Sequence, residues 1–270
     1  MRNNRILLFI AVIMLLKSNS YGQFSLRTKL DSLFNSDASW VDYNNNNIPD
    51  ILLTGADKDL VEKTILFDGD LSGNFNPVSS NLPAADGAIC VWGDFDNDGD
   101  LDLFITGDMA GGATFSKLYE NQSGTFVENT SSAFTALSGY IDAAMFVDYD
   151  NDGDLDLSYS GWDGASIRTV KIYQNINGIY SDISANINFG SRGSIDWGDY
   201  DNDGDMDLLA SGSNGSDIPL KIIRNDGEGN FTDAGKIADV IFGTAKWVDY
   251  DNDGDLDIFY SSLTSNSYPN

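Results

Sequence analysis

The sequence predicts an all-β protein, a β-propeller built from five four-stranded repeats. The first observation is an acidic segment at residues 94–102 that recurs almost letter for letter at 148–156, 199–207 and 249–257. A degraded copy at 42–50 precedes them, and the first aspartates of successive copies are 52, 54, 51 and 50 residues apart. A period of about 50 residues with short strands is typical of a propeller or another repeat array.

The second observation is that each repeat contains four short apolar segments separated by turns rich in Gly, Asn, Ser and Asp. The second segment follows the acidic one, and a glycine closes it; the third reads Lys-x-Tyr-x-Asn, as at 117–121; the fourth follows a glycine, as at 124–126. Four strands per unit form one propeller blade, whereas a β-sandwich would not need the same unit five times. The first segment ends in an aromatic residue that we expect to pack between repeats: Trp40, Trp92, Phe146, Trp197 or Trp247.

The two ends of the chain suggest how the ring closes. Phe24 lies 18 residues before Asp42, as Phe231 lies 18 residues before Asp249. The N-terminal segment is therefore predicted to be the outer strand of the last blade, pairing with C-terminal strands at 246–248, 256–260 and 266–270 to close a five-blade ring. Ser262 replaces the expected glycine, and Pro269 cannot donate a ladder hydrogen bond. The alternative is that the chain is a fragment of a larger propeller or multidomain protein.

Residues 1–22 have the pattern of a secretory signal peptide. Arg2 and Arg5 precede an apolar run at 6–16, and small residues lead to a predicted cleavage between Gly22 and Gln23. The run is shorter than the roughly 20 residues that span a bilayer. We therefore expect the domain to cover 23–270, to be secreted or displayed at the cell surface, and not to be inserted in the membrane after cleavage.

Composition excludes several classes of function. The chain has 42 acidic and 15 basic residues, a net charge of −27, so we expect it to bind neither nucleic acid nor anionic membranes. It has no histidine, which removes the common catalytic triads and the usual zinc sites. A single cysteine allows no disulfide within the chain. The acidic segments hold 22 of the 42 acids, which concentrates the charge where a divalent cation would bind.

The acidic segments predict calcium sites; we number them loops 1 to 5 in chain order and their residues positions 1 to 9. Ca²⁺ takes six to eight oxygen ligands, and tight loops supply them from side chains at positions 1, 3, 5 and 9 and a carbonyl at position 7. Glycine at position 6 permits the left-handed backbone that such wrapping needs. Mg²⁺ is less suitable because it retains its waters.

Loops 2 to 5 are predicted to be strong sites and loop 1, where asparagines replace acids, a weaker fifth site. The predicted ligands are Asp94, Asp96, Asp98, Asp100 and Asp102 in loop 2; Asp148, Asp150, Asp152, Asp154 and Asp156 in loop 3; Asp199, Asp201, Asp203, Asp205 and Asp207 in loop 4; Asp249, Asp251, Asp253, Asp255 and Asp257 in loop 5; and Asp42, Asn44, Asn46, Ile48 and Asp50 in loop 1.

The unit Trp-x-Asp-Tyr-Asp-Asn-Asp-Gly-Asp-x-Asp, followed by Lys-x-Tyr-x-Asn and Gly-x-Phe, resembles the FG-GAP/VCBS repeats of integrin-α-like propellers in secreted bacterial proteins. The resemblance implies calcium loops between the first two strands of each blade, all on one face. It also implies a non-enzymatic adhesion or ligand-binding module for a surface protein or glycan; the alternative is the scaffold of a polysaccharide-degrading enzyme. Loop 1 and the missing Phe-Gly…Gly-Ala-Pro string depart from the family pattern.

The turns that do not repeat are where we expect a specific ligand to bind. They lie after the second strand of a repeat, at 107–112 and 161–164. Trp162 occurs in only one repeat, so packing between repeats does not account for it, and it is the predicted ligand contact. We expect the protein to be a monomer.

Overall fold

The computed structural model describes residues 10–11, 14–18, 24–30, 32–137, 143–162, 168–189, 192–240 and 242–262. The regular structure in these ranges is entirely β, which confirms the predicted all-β class. None of the described residues belongs to a helix with the length and apolar character needed to cross a membrane.

The strands in chain order are β1 (Ile10–Ala11), β2 (Met14–Ser18), β3 (Phe24–Lys29), β4 (Leu33–Val41), β5 (Asp50–Ala56), β6 (Glu62–Gly69), β7 (Phe75–Val78), β8 (Asp86–Gly93), β9 (Asp102–Met109), β10 (Ala113–Gln122), β11 (Thr125–Glu128), β12 (Ala144–Val147), β13 (Asp156–Trp162), β14 (Arg168–Ile176), β15 (Ile179–Asp182), β16 (Ile195–Gly198), β17 (Asp207–Ser211), β18 (Pro219–Asn225), β19 (Phe231–Asp239), β20 (Thr244–Val248) and β21 (Asp257–Ser261).

The strands form small antiparallel sheets that follow the sequence repeats. Repeats 2, 3 and 4 are four-stranded sheets with consecutive strands side by side: β8 to β11, β12 to β15 and β16 to β19. Repeat 1 comprises β4 to β7, with β1 added beside β4. Repeat 5 is the pair β20–β21 among the described residues. Each acidic loop joins the first two strands of its repeat, as predicted.

The sheets stack through their first strands. β8 lies beside β4 and β12, and β16 lies beside β12 and β20. The second strands are therefore covered on both faces; in β13, for example, every residue except Trp162 is buried. Because both faces are buried, apolar residues in these strands need not alternate with exposed polar ones, and in β9 Leu103, Phe104 and Ile105 follow one another.

The hydrophobic core consists of layers between successive sheets. One layer packs Leu52 and Leu66 of repeat 1 against Leu103 and Ile105 of repeat 2. Equivalent layers join repeats 2 and 3, repeats 3 and 4, and repeats 4 and 5. Stability in such an array depends mainly on contacts between neighbouring repeats.

The N-terminal strand β3 has a partner that the sequence analysis did not predict, while its predicted closure of the ring beside residues 266–270 stays a prediction. The structure pairs β3 with β2, in the order β2–β3, and not with β20 or β21. Pairing with a segment a few residues away closes a short loop, which costs less chain entropy than closing a ring over the whole chain. β2 lies within the predicted signal peptide, so cleavage after Gly22 would remove this partner. The predicted third strand of repeat 5, at 266–270, lies outside the described residues.

In repeats 1 to 3 the glycine that was predicted to close the second strand lies inside that strand, whereas Gly212 follows β17 as predicted. Gly107 lies inside β9, and a Cβ atom built there would come within 2.7 Å of the Ala88 Cα atom on β8. Gly55 lies inside β5 in the same way. A glycine at this place permits the close approach of the first two strands.

Candidate metal sites

All five acidic loops have the same hydrogen-bonded backbone. The position 1 aspartate accepts hydrogen bonds from the backbone N–H groups of positions 5 and 6, as Asp94 does from Asp98 and Gly99 at 3.0 Å each. In loop 1, Asp42 accepts the same two bonds from Asn46 and Asn47 at 3.0 and 2.8 Å. The degraded sequence of loop 1 therefore keeps the loop conformation.

Position 6 has a left-handed backbone in every loop, as the sequence predicts. The φ angle is 93° at Gly99 and 97° at Gly204. Loop 1 reaches the same region with Asn47 at φ 63°. Asparagine tolerates this conformation better than most residues, which explains why loop 1 does not need a glycine there.

Position 9 is the most buried of the acidic positions in loops 1 to 4, whereas Asp257 in loop 5 is exposed. Asp102 is fully buried, and its two carboxylate oxygens accept hydrogen bonds from the N–H groups of Phe95 at 3.0 Å and Asn121 at 2.8 Å. Burial raises the pKa of Asp102 and Asp156 to about 7 and that of Asp207 to about 6. A cation would favour the ionised form of these carboxyl groups, which burial alone disfavours.

The structure brings three predicted ligands together in each of loops 2 to 5. Their carboxylate oxygens lie within 4.8 Å of one another, at positions 1, 3 and 9 in loops 2, 3 and 5 and at positions 1, 3 and 5 in loop 4: Asp94, Asp96 and Asp102; Asp148, Asp150 and Asp156; Asp249, Asp251 and Asp257; Asp199, Asp201 and Asp203. The tight group of loop 4 thus does not include Asp207.

The predicted position 7 ligand was the backbone carbonyl, and the position 7 side chains have other partners. The Asp100 carboxylate accepts hydrogen bonds from Asn45 Nδ2 at 2.7 Å and the Ser123 N–H at 2.8 Å. These bonds tie loop 2 to loop 1 and to the β10–β11 turn. The Asp100 side chain therefore holds the loop in place and leaves its carbonyl as the group for a cation.

The hydrogen bonding of two buried carboxylate oxygens indicates whether the loops could hold a metal ion. Asp50 is fully buried in loop 1, yet its Oδ2 atom makes no short hydrogen bond among the described residues, and only the Tyr43 N–H interacts with it more weakly. Asp150 Oδ1 in loop 3 is likewise buried without a short hydrogen bond, although the Asp152 N–H interacts with this carboxylate. A buried charged oxygen is costly unless it is paired, and a cation would pair it. The donors are oxygens throughout, which fits a hard divalent cation better than a soft transition metal.

Asparagine at position 4 links each loop to the next, a role that sequence analysis missed. Asn97 Nδ2 donates to Asp154 Oδ1 at 3.1 Å, and Asn202 Nδ2 donates to Asp255 Oδ1 at 3.1 Å. Asn151 Nδ2 donates to the Gly204 carbonyl at 2.9 Å. The loops therefore form a continuous row along one edge of the array. An asparagine at position 4 in every copy was the signal in the sequence.

A second asparagine, at the end of the third strand, clamps two repeats together. Asn121 Nδ2 donates to the Tyr43 carbonyl in loop 1 at 2.7 Å and to the Leu101 carbonyl in loop 2 at 2.9 Å. Asn175 and Asn225 make the equivalent pairs of bonds one and two repeats further on. The recurring Asn of the Lys-x-Tyr-x-Asn segment thus fixes each loop against its neighbour.

The aromatic residues before the loops are buried only in part of the chain. Trp197 is 7% exposed, and its Nε1 donates to Ser158 Oγ in the preceding repeat at 2.9 Å. Trp92 makes a similar bond to Ser39 at 2.9 Å. Trp40 is 55% exposed, so the prediction that it packs between repeats is wrong. Its ring contacts Phe75 of its own repeat, with ring centroids 5.7 Å apart.

The end of the sheets opposite the loops carries features that do not repeat. Trp162 is 39% exposed, and the Arg168 guanidinium lies 5.9 Å from its ring centroid. Residues 163–167 of this turn lie outside the described residues. A cleft of about 220 Å³ lies near the same end of repeat 3, and its polar lining includes Thr135, Lys171 and Asp182. The Lys171 Nζ atom is 2.7 Å from Asp182 Oδ2.

The architecture and the loops define a class: an all-β repeat protein with one acidic loop in each repeat, four of which bring together three carboxylates that could hold a metal ion. A model of the FG-GAP-like repeat matches residues 42–105, 94–158 and 199–260, more than half of the chain. The chain therefore belongs to the FG-GAP-like repeat family. No curated protein matches it.

Two solved structures are similar to the chain. One concerns recognition of non-reducing terminal N-acetylglucosamine by an Agrocybe aegerita lectin, with a TM-score of 0.51, 15% identity, and coverage of 83% of this chain and 60% of that one. The other is a Bacillus licheniformis rhamnogalacturonan lyase, with a TM-score of 0.42, 13% identity, and coverage of 93% and 59%. The chain thus spans about three fifths of either structure. The first likeness concerns the fold alone, and the second supports no inference.

Proposed function

We propose that this protein is a secreted, calcium-binding, propeller-like module that binds a surface protein or glycan and is not itself an enzyme. The observation that carries the proposal is the row of five loops with one shared geometry. A catalytic site is unique in its chain, whereas these carboxylates recur at the same place in every repeat. Regular recurrence favours a structural role for the metal and leaves specific binding to the turns that differ.

Calcium is the proposed ion because the available ligands are oxygens and because several carboxylates lie close together in each of loops 2 to 5. In loops 2 to 5, carboxylates stand at positions 1, 3, 5, 7 and 9, and three of them meet within 4.8 Å. Their mutual repulsion opposes the compact state unless a cation neutralises it. Extracellular modules with such oxygen sites bind Ca²⁺ with dissociation constants of about 10⁻⁴–10⁻³ M.

The propeller arrangement is proposed from the way the sheets follow one another. In a propeller, the first strands of successive blades line the axis and the fourth strands lie outside. The adjacency of β4, β8, β12, β16 and β20 agrees with this order. So does the placement of all loops in one row, with the non-repeating turns at the other end.

The proposed ligand surface is that opposite end, including Trp162 and the polar cleft of repeat 3. An exposed tryptophan beside an arginine offers a flat apolar face with a polar rim, which suits a sugar ring or a peptide. The cleft is smaller than the ~300–1,000 Å³ of typical small-molecule pockets, so it would accept one group of a larger ligand. The net charge of −27 opposes nucleic acid as a partner.

Two measurements test the proposal. Calcium removal with excess chelator should lower the melting temperature strongly, because binding to the native state alone stabilises by about 2.7 kcal/mol at a hundred times the dissociation constant for each site. An unchanged melting temperature would refute the metal assignment. Screening residues 23–270 against glycans and surface proteins should then yield a saturable ligand. Turnover of a polysaccharide in place of retention would refute the non-enzymatic assignment.

A further inference from the structure

The four repeats in which all four strands are described differ at one third-strand position that lies next to the acidic loop. This position holds Asp68, Glu120, Gln174 and Arg224 in repeats 1 to 4. The four residues are structurally equivalent because the N–H of the following residue always donates to the position 9 carboxylate. The donor–acceptor distances are 2.8, 2.8, 2.7 and 2.8 Å in repeats 1 to 4, in that order.

Two of these side chains form a hydrogen bond with the position 3 residue of their own loop. Asp68 Oδ1 accepts a hydrogen bond from Asn44 Nδ2 at 2.8 Å. Gln174 Nε2 donates to Asp150 Oδ2 at 2.6 Å. A residue outside the predicted nine-residue loop therefore contacts a predicted ligand in both repeats.

Glu120 and Arg224 act on the same position through their charges. Burial raises the pKa of Asp96, and the negative charges of Asp98 and Glu120 add to the effect. Asp226, the ion-pair partner at 2.6 Å, is the main cause of the raised pKa of Arg224, and the charge of Asp201 contributes to it. The equivalent position thus carries a negative, a neutral or a positive group beside an otherwise constant loop.

In loop 1, the hydrogen bond from Asn44 to Asp68 orients the Asn44 side chain. When Asn44 donates through Nδ2 to Asp68, the amide is held in the orientation that leaves Oδ1, its only acceptor, for the loop. Asp50, fully buried at position 9, has its Oδ2 atom without a short hydrogen bond in the described structure, although the Tyr43 N–H at position 2 interacts with this carboxylate. In loops 2 to 5 the corresponding oxygen accepts a well-formed bond from the N–H of position 2, as Asp102 does from Phe95. Loop 1 therefore has, at a ligand position, a buried carboxylate oxygen that is less strongly hydrogen-bonded than its counterparts in the other loops.

We propose that the third-strand residue before the clamp position sets the cation affinity of each loop, and that Asp68 makes loop 1 a fifth metal site. The proposal rests on the calcium binding proposed above and goes beyond it, because it assigns a role to residues outside the nine-residue loop. Asp68 adds a third negative charge beside a loop that has only Asp42 and Asp50 of its own, although these three carboxylates do not meet within 4.8 Å as the grouped carboxylates of loops 2 to 5 do.

The charges give an order of affinity. Calcium affinity in oxygen sites depends on the number of charged ligands and the rigidity of the site. Loop 2, with Glu120, should bind most tightly, loop 3 with neutral Gln174 less tightly, and loop 4 with Arg224 least tightly of the three. Loop 1 should join loop 4 at the weak end, since both have a net of three negative charges when the third-strand residue is counted with positions 1, 3, 5 and 9.

The test is a calcium titration of the metal-free protein followed by backbone amide NMR. The position 6 amides report each loop separately: Asn47, Gly99, Gly153, Gly204 and Gly254. The midpoint of each amide is the calcium concentration at which half of its chemical-shift change has occurred. In Asp68→Asn, which retains the acceptor for Asn44 but removes the charge, the midpoint at Asn47 should rise about tenfold. The other four midpoints should stay within about twofold. Asp68→Ala should have a larger effect because the orientation of Asn44 is lost as well.

Removing the positive charge beside loop 4 should raise calcium affinity, and a misfolded variant would not show such an increase. In Arg224→Gln, the midpoint at Gly204 should fall about tenfold while Asn47 is unaffected. Asp59→Asn, which removes one exposed charge from the β5–β6 turn, is the matched control and should move no midpoint.

The outcomes separate this inference from the proposal on which it rests. If no amide responds to calcium in the wild-type protein, the proposed metal binding fails. If loops 2 to 5 respond and Asn47 does not, loop 1 is not a site and the role of Asp68 is refuted. If all five loops respond but Asp68→Asn and Arg224→Gln leave the midpoints unchanged, the third-strand residue does not set affinity.

Discussion

Replacing Asn121 by alanine tests the idea that the third-strand asparagine clamps successive repeats. The Asn121 side chain is fully buried. It donates to the carbonyls of Tyr43 and Leu101 and accepts a hydrogen bond from the Gly124 N–H at 2.7 Å. Asn121→Ala leaves three backbone groups without this partner while removing little volume. The perturbation therefore concerns hydrogen bonding far more than packing.

The expected magnitude follows from the number of groups left unpaired. Each buried polar group without a partner costs about 1–3 kcal/mol. Because two of the three groups lie in loops that water can reach, we expect a loss near the lower end, about 3 kcal/mol in total. For a chain of this size, 1 kcal/mol corresponds to roughly 2–4 °C in melting temperature. The expected decrease is thus roughly 6–12 °C.

The assay is thermal unfolding followed by tryptophan fluorescence at saturating calcium. Asn76→Ala, at an exposed position of β7, is the matched control and should change stability by less than about 0.5 kcal/mol. Asn121→Asp retains an acceptor for Gly124 but no donor, so it should be at least as unstable as the alanine variant. A melting temperature of Asn121→Ala within 2 °C of the wild type would refute the clamp.

Two further predictions concern pH and the ligand surface. Without calcium, the melting temperature should rise as the pH is lowered from 8 to 5.5, because the folded state holds the protons of Asp102 and Asp156 with pKa values of about 7 against the ordinary value of 3.8. This stabilisation is complete below about pH 4 and is lost as the pH rises through 7; saturating calcium should abolish the rise, and a flat profile of the metal-free protein would contradict the reasoning. Trp162→Ala should abolish binding of whatever ligand the screens identify while lowering the melting temperature by only a few degrees, since the side chain is 39% exposed. Retained ligand affinity would remove Trp162 from the binding surface.

The loops and the strands could be predicted because the same sequence pattern recurs in every repeat. A single run of aspartates would be ambiguous, but acids at positions 1, 3, 5 and 9 in four copies specify one geometry. Even loop 1 could be predicted, since Asn47 tolerates the left-handed backbone that glycine supplies elsewhere. The repeated pattern thus identified the local structure and carboxylates that converge in loops 2 to 5.

The contacts between repeats were harder to read from the sequence. No role was predicted for Asn97 at position 4 or for Asn121 at the end of the third strand, and only the structure shows that they reach into neighbouring loops. The role of Asp68 was hidden for the same reason, because its partner Asn44 is 24 residues away. A period in the sequence identifies equivalent positions, but it does not tell which of them touch across a boundary.

Burial at a repeated position is determined by the neighbouring repeat. Tyr149 at position 2 of loop 3 is 2% exposed, and its ring packs against Phe231 of repeat 4, with ring centroids 5.8 Å apart. The equivalent Tyr250 in loop 5 is 78% exposed among the described residues, and Phe259 on β21 is 62% exposed. The residue type and the local hydrogen bonds are the same at Tyr149 and Tyr250, yet the second lacks the covering sheet. The same reasoning explains the exposure of Trp40. The stability of each repeat therefore depends on the repeat beside it, and a cation that fixes one loop also stabilises the next through the asparagines that join them.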